Sequence, residues 1–465
     1  MVKRGALESR FDALYYKIST SLEIATKSIY PKKKLSEIAE LQRGRFSHRP
    51  RNAPEFYGGE YPFIQTGDIV RAGNGNGEIT FSQTLNDLGL SVSKIFSPNI
   101  LVMTIAANIG DTAILTYSAC FPDSLVTIKP KNDELNIHYL NIYFKFIKNY
   151  LNEIAPQTAQ KNINLQQLSP VLITIPPLEI QTQIVEKFNQ AYEIKRQKEA
   201  EAKALLASID GYLLEQLGIK LPEKIETKPT FLTRFKDLQG KRFDPKNYLP
   251  QNQALYQILF QSKYDTKPLK ALTIQSVAGE WGIDEAKEGF SERLVIRATE
   301  FDNLHNLNLE NSRVKYRYIN DLKLAKMDLQ VGDLLIEKSG GSEDQPVGRI
   351  AIITEELAAS YRLAYSNFIH KIRINEEVNS AFLFYFLKTI HNIKITDTMQ
   401  SQTNGIRNLI MREFLNIPVS LPPLEVQTEI ADHISQIRAQ AKALETEARQ
   451  VLATAKAEVE RVILG

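Results

Sequence analysis

Pro176-Pro177-Leu178-Glu179-Ile180-Gln181-Thr182 recurs as Pro422-Pro423-Leu424-Glu425-Val426-Gln427-Thr428, 246 residues later. Two prolines suit a helix entrance, where a missing N–H costs nothing, and the glutamate that follows sets a carboxylate against the positive end of the helix dipole. In the second copy Ile430, Ile434, Ile437, Ala441, Leu444, Ala448, Val451, Ala455 and Val462 fall on alternating steps of four and three, with Glu458 the polar residue in frame. That is the pattern of a coiled-coil seam. Subtracting 246 gives Ile184, Phe188, Ala191, Lys195, Lys198, Ala202, Leu205 and Ile209, a stripe that two lysines interrupt. The spacing predicts long helices over 179–217 and 425–464, the first closed by Gly218 and Pro222. A shared frame and near-equal length favour the helices pairing with each other over each packing along its own domain.

The repetition extends upstream. Arg10-Phe11-Asp12 returns as Arg242-Phe243-Asp244 at an offset of 232, and the strand-like Phe63-Ile64-Gln65-Thr66-Gly67-Asp68 aligns with Val295-Ile296-Arg297-Ala298-Thr299-Glu300 at the same offset. Ile100-Leu101-Val102 meets Leu334-Leu335-Ile336 at 234, and Phe144-Lys145 meets Leu387-Lys388 at 243. An offset that only grows marks one duplicated unit with small insertions in its second copy. Within each copy, Val171–Ile175 and Gly348–Ile353 read as strands bounded by turn residues, while Tyr139–Phe144 and Phe382–Leu387 carry helical spacing. The fold class is therefore α+β, two repeated mixed α/β domains and two long helices.

The chain has 465 residues, 57 Lys+Arg against 54 Asp+Glu and a net charge of +3, so any contact with a polyanion must come from local patches. A single cysteine, Cys120, excludes an intrachain disulfide framework and a zinc finger. With no apolar signal core and no run near the ~20 residues of a membrane span, a cytoplasmic location is expected. Catalytic groupings are also missing. A DNA methyltransferase needs an Asn/Asp-Pro-Pro-aromatic loop, but Ile175 and Leu421 precede the two Pro-Pro pairs. Gly73-Asn74-Gly75-Asn76-Gly77 lacks the Lys-Ser/Thr of a phosphate loop and reads as a flexible loop. Glu285-Ala286-Lys287, with Asp265 as distant partner, imitates a nuclease motif within what reads as a surface turn. His48, His138, His305, His370, His391 and His433 show no close pairing for a metal or a dyad. A non-catalytic protein without cofactor or metal is expected.

Three groups suit nucleic acid. Arg43, Arg45, Arg49 and Arg51, with Ser47 among them, form a cationic loop without an acid, and arginine forks match phosphate oxygens and guanine edges. The second copy is acidic there, around Gly279-Glu280-Trp281-Gly282, so this patch is not duplicated. Lys338-Ser339-Gly340-Gly341-Ser342 follows the strand Leu334–Glu337 as a turn with donors and little bulk. Lys161-Asn162 and Arg407-Asn408 repeat at 246, placing a cation for phosphate and an amide for adenine just before each last strand.

These features together resemble the specificity (S) subunit of type I restriction-modification enzymes. The resemblance spans nearly the whole chain. It rests on Arg10-Phe11-Asp12 with Tyr15-Tyr16; Gly44, Tyr57-Gly58-Gly59, Pro62-Phe63-Ile64 and Gly67-Asp68-Ile69; Lys338–Ser342 with Val347-Gly348-Arg349; Gly405–Leu409; and both Pro-Pro-Leu-Glu openings. It implies two target-recognition domains separated by a pair of long antiparallel coiled-coil helices, with pseudo-twofold symmetry. Each domain would read half of a bipartite target in double-stranded DNA, with Arg349 joining the candidate contacts. The helices would act as a ruler and as a dock for two methyltransferase subunits, and restriction subunits would join through that complex. The expected division is 1–178, 179–220, 221–424 and 425–465. Thr299-Glu300 departs from the family's Gly-Asp, which questions contacts there. A helical adaptor and a single-chain DNA methyltransferase-associated protein are the rival readings.

Overall fold

The computed structural model describes residues 28–75, 77–156, 161–223, 230–235, 243–342, 345–403 and 406–464. Arg10-Phe11-Asp12, Tyr15-Tyr16, Asn76, Arg242 and Gly405 lie outside them. The chain divides into two compact units, 1–200 with 444–465, and 201–443. Compactness thus follows a different division from one made at the helix ends, because each unit takes the start of one long helix and the end of the other.

In the first unit a four-stranded sheet runs in the order Ala39–Arg43, Leu125–Pro130, Ile100–Thr104, Thr112–Leu115, every neighbour antiparallel. All five residues of Ile100–Thr104 are buried, as an inner strand covered on both faces requires. The helix Ile137–Ile154 packs against it, its N-terminus capped by Asn136, whose side chain accepts from the backbone of His138 and Tyr139. Tyr57–Phe63 lies between Gln83–Leu85, antiparallel, and Ala119–Cys120, parallel. Lys32–Lys34 pairs with Leu172–Thr174, just before the first long helix.

The second unit repeats this topology. Its sheet runs Thr273–Ala278, Ile369–Ile374, Leu334–Glu337, Ile350–Ile352, again all antiparallel. Phe290–Ile296 lies between an antiparallel Tyr316–Asn320 and a parallel Leu363–Tyr365, and Thr266–Pro268 pairs with Pro418–Ser420. Asn379 caps Ser380–Asn392 as Asn136 caps its counterpart. One further sheet joins Ser339–Gly341, Ile406–Leu409 and Gln400–Thr403; among the described residues of the first unit only an isolated bridge, Ala106 with Asn162, corresponds to it.

Two local expectations change. The strand at Phe63 stops there, and Gly67-Asp68 opens a helix, Thr66–Asn74, in which the Asp68 carboxylate accepts from Gln65 N at 2.7 Å. Glu300 accepts from Arg297 N at the same 2.7 Å. This acid is a buried cap in both copies, and Thr299-Glu300 preserves it. Gly73-Asn74 ends that helix instead of forming a loop, and a Cβ on Gly73 would stand 3.0 Å from Thr112 O, so glycine serves close packing.

The long helices run Leu178–Gln216 and Leu424–Leu464. The repeated Gln181 and Gln427 are buried clamps. Gln181 accepts from Asn136 N at 2.8 Å and donates to Glu134 O and Pro176 O; Gln427 accepts from Asn379 N at 2.8 Å and donates to Glu377 O and Pro422 O. Each therefore ties the start of a long helix to the capped end of its domain's helix.

Within each unit the two helices pair antiparallel. In the first, Lys187 meets Glu458 and Lys198 meets Glu447 at 2.6 Å; in the second, the rings of Tyr212 and His433 are 4.4 Å apart; in all three contacts the two residue numbers add to 645. Ile184, Phe188, Ala202, Ile430, Ile434, Ala441 and Ala448 are buried as the seam predicts. Lys198 is accommodated by reaching across to Glu447. At the C-terminal end the buried face turns: Val462 is 39% exposed, and Val459 and Ile463 are buried in its place, as Leu213 and Leu217 are in the repeat. Four-residue steps from Ala455 carry the stripe off the seam and into the core of the first unit.

Candidate nucleic-acid interface

Phe46 anchors the arginine loop. It is buried, with ring centres 6.0 Å from Phe56 and 5.3 Å from Phe63, while the arginines on either side face solvent. Gly44 lets a second segment approach, since a Cβ there would lie 2.2 Å from Pro122 O. That segment delivers Asp123. Arg43 Nε donates to its backbone oxygen, Arg49 contacts its carboxylate at 3.2 Å, and Arg51 contacts the other carboxylate oxygen. Arg49 also donates to Phe46 O and His48 O, and Ser47 Oγ to Val92 O. Arg45 makes no side-chain hydrogen bond or ion pair among the described residues. The loop that carries no acid in sequence thus folds around one supplied from 72 residues downstream of Arg51. Because these pairs are partly exposed, each is worth only about 0–1 kcal/mol and exchanges readily for another anion.

The second group assembles from two separated segments. In the second unit Ser339 pairs with Asn408 and Gly341 with Arg407, while Leu409 N donates to Lys338 O at 2.7 Å. Lys338-Ser339 and Arg407-Asn408 therefore share one small sheet. Gly340 has φ +109°, a left-handed conformation, and stands beside Phe368, an exposed aromatic that sequence patterning does not single out. The first unit builds a reduced version: Asn162 bridges Ala106, and Ala107 N donates to Lys161 O at 3.3 Å. Ala107 also has positive φ, 63°. Both copies thus lay a cation–amide pair antiparallel to the segment leaving their inner strand.

Arg349 departs from the expectation of a DNA contact. It is 5% exposed, grips Glu337 through two 2.8 Å bonds, and donates to Phe301 O at 2.6 Å and Ala298 O at 3.0 Å. Burial pushes the Glu337 carboxyl up against the pull of that guanidinium. Reaching a phosphate would strand a buried carboxylate, so Arg349 is a structural residue. Ser339 is likewise buried. Glu285-Ala286-Lys287 is an exposed turn, as read. The histidines do contain one pair, invisible across 86 residues: the rings of His305 and His391 meet edge-to-face at 5.1 Å. Among the described residues no group of three or more His, Cys, Asp or Glu could hold a metal, and no helix is long and apolar enough to cross a membrane.

A family model, the type I restriction modification DNA specificity domain, matches residues 29–204 and again 295–454. The chain belongs to that family. Both copies of the specificity domain contain the inner strand, the capped helix and the start of a long helix described above. The chain is also similar to a structure from work on complex assembly and conformational transition of the type I R-M system, at 15% identity and a TM-score of 0.54, covering 93% of this chain and 96% of that one. That likeness extends the shared fold across both specificity domains. Further matches are a type I restriction-modification S subunit from M. genitalium and an HsdS subunit from Thermoanaerobacter tengcongensis. The first has 12% identity, a TM-score of 0.44, and covers 94% of this chain and 96% of that one; the second has 16%, 0.39, 93% and 95%.

Proposed function

We propose that the chain is the non-catalytic sequence reader of a type I restriction-modification complex. Each specificity domain reads one half of a bipartite duplex target, the paired helices dock two methyltransferase subunits, and restriction subunits join through that assembly in the cytoplasm. The observation that carries this reading is the duplicated family match, laid over two units that each place a cation–amide pair beside a tight tip after the inner strand. In the first domain the arginine loop adds phosphate contacts, with Arg45 the uncommitted cation and Arg43, Arg49 and Arg51 exchanging Asp123 for DNA oxygens. In the second, Lys338, Arg407 and Asn408 supply the corresponding donors.

Selection of bound sequences from random duplexes, with the methyltransferase partner present, tests the reading. A split target with two defined halves is expected. Flat affinity across sequences would favour a helical adaptor, and methyl transfer from S-adenosylmethionine by the lone chain would favour an enzyme.

A further inference from the structure

The two copies arm the same place in the fold differently. In each, the residue that follows the inner strand donates its backbone N–H to the residue that leads into the neighbouring strand. Ile105 N donates to Ser124 O at 3.0 Å in the first copy, and Lys338 N to Phe368 O at 2.8 Å in the second. Ser124 and Phe368 are therefore equivalent positions. Ser124 turns inward: it is half-buried, with its hydroxyl 3.2 Å from Thr66 Oγ1. Phe368 turns outward and is 42% exposed.

The backbone that presents this ring is fixed. Phe368 O accepts a second bond, from Ser339 N at 3.2 Å, while Ser366 N donates to Ile296 O at 2.8 Å and Ile369 N to Ser366 O at 2.9 Å. A ring with two side-chain torsions on a pinned backbone has little freedom left to lose on contact. The ring borders Gly340, where a Cβ would lie 3.5 Å from Phe368 Cδ2, and Gly340 sits between Ser339 and Gly341, which pair with Asn408 and Arg407. An exposed aromatic thus stands among the cations and amide of the second tip. Ile406–Leu409 also pairs antiparallel with Gln400–Thr403, and such a two-stranded ribbon is an element that the major groove of a duplex admits. Base edges in that groove present donors and acceptors, with one apolar group among them, the C5 methyl of thymine.

We propose, resting on the DNA-reading assignment above, that Phe368 is a specificity-determining residue of the second domain and packs against the C5 methyl of one thymine in its half-site. The ring offers no partner to a donor or acceptor, so a cytosine in that place would bury its amino group unsatisfied. Ser124 gives the first domain no such contact. Dependence on a thymine methyl through this position therefore belongs to one half-site of the two.

The test uses the full chain with its methyltransferase partner. Once site selection has defined the target, each thymine in it is replaced in turn by deoxyuridine, which removes the methyl and nothing else, and Kd is measured for each duplex. One position in one half-site should weaken by about fourfold, the worth of one buried methyl. Phe368→Ser installs the residue of the first copy at an exposed place, so it should fold, and it should bind the thymine and deoxyuridine duplexes equally at that position. Ile406, 45% exposed, is the apolar side chain of the neighbouring ribbon, and Ile406→Ala should keep the fourfold difference. The inference is overturned by half-sites without a methyl-dependent thymine, by a difference that Phe368→Ser leaves intact, or by one that Ile406→Ala abolishes instead. Each of those results comes with a defined split target and leaves the DNA-reading assignment standing. Selection that returns no defined target would fail that assignment itself, and this inference with it.

Discussion

Arg349 and Arg45 carry the same charge in opposite circumstances. Replacing Arg349 with Gln leaves Glu337 buried without its partner, which should cost about 3–5 kcal/mol; urea unfolding should show it. Arg45→Ala removes an exposed side chain, so stability should hold within about 0.5 kcal/mol while the salt slope of duplex binding falls by about 0.9. Asp123→Asn is the counter-experiment. Releasing Arg49 and Arg51 should tighten non-specific binding and steepen its salt dependence; a slope equal to wild type would mean those arginines never reach phosphate. The buried His305 and the half-buried His391 make stability fall with acid. Burial holds His305 far below its ordinary value and His391 down to about 4. Above pH ~6.5 neither state is protonated; below it the unfolded chain binds protons that the folded one refuses, costing about 2 kcal/mol per histidine at pH 5. Glu337, whose carboxyl is raised, acts in the opposite sense, so the comparison that isolates the effect is wild type against His391→Gln between pH 7 and pH 5. The variant should lose less. An equal loss would assign the acid sensitivity elsewhere. Single residues were the least legible level: an arginine's type is written in the chain, but its partner is not. Asp123 and Glu337 reach their arginines only through folding, and nothing local distinguishes Arg45 from Arg349.

At the scale of elements, periodicity was a good guide. Helix ends fall within one residue of those expected, because Pro-Pro and Gly218, with φ +71°, stop the backbone locally. Where tertiary packing decides, the pattern misleads. Gly67-Asp68 looked like the end of a strand because a capping acid leaves no periodic trace, and Val462 gave way to Val459 and Ile463 because a core pulled the stripe round. The repeated glutamine was visible, but its purpose was not. Gln181→Ala should strand the backbone N–H of Asn136 and destabilise the first domain by about 1–3 kcal/mol. Gln427→Ala should do the same to the second through Asn379. Hydrogen exchange on each variant should localise the loss to one domain; protection lost equally in both would mean the clamps are not domain-specific.

At the scale of the whole molecule the open question is whether the helix pair sets the spacing between half-sites. Within each unit taken separately the antiparallel contacts join residues whose numbers add to 645, and on that count residues 198–204 match 441–447. Those two heptads must therefore be removed together. Deleting 198–204 with 444–450, the choice suggested by equal offsets within the repeat, would leave a short stretch out of register. The matched deletion keeps the seam in phase and shortens the pair by about 10 Å, at 1.5 Å per residue, or about 3 bp. Both domains should remain folded, since their cores draw on residues outside the deleted heptads. Because ~10 bp complete a turn, the second half-site would also rotate by about a third of a turn. Site selection with the methyltransferase partner should then return the same half-sites with a changed gap, or lose bipartite binding. Retention of the original gap would show that something other than the helices measures it.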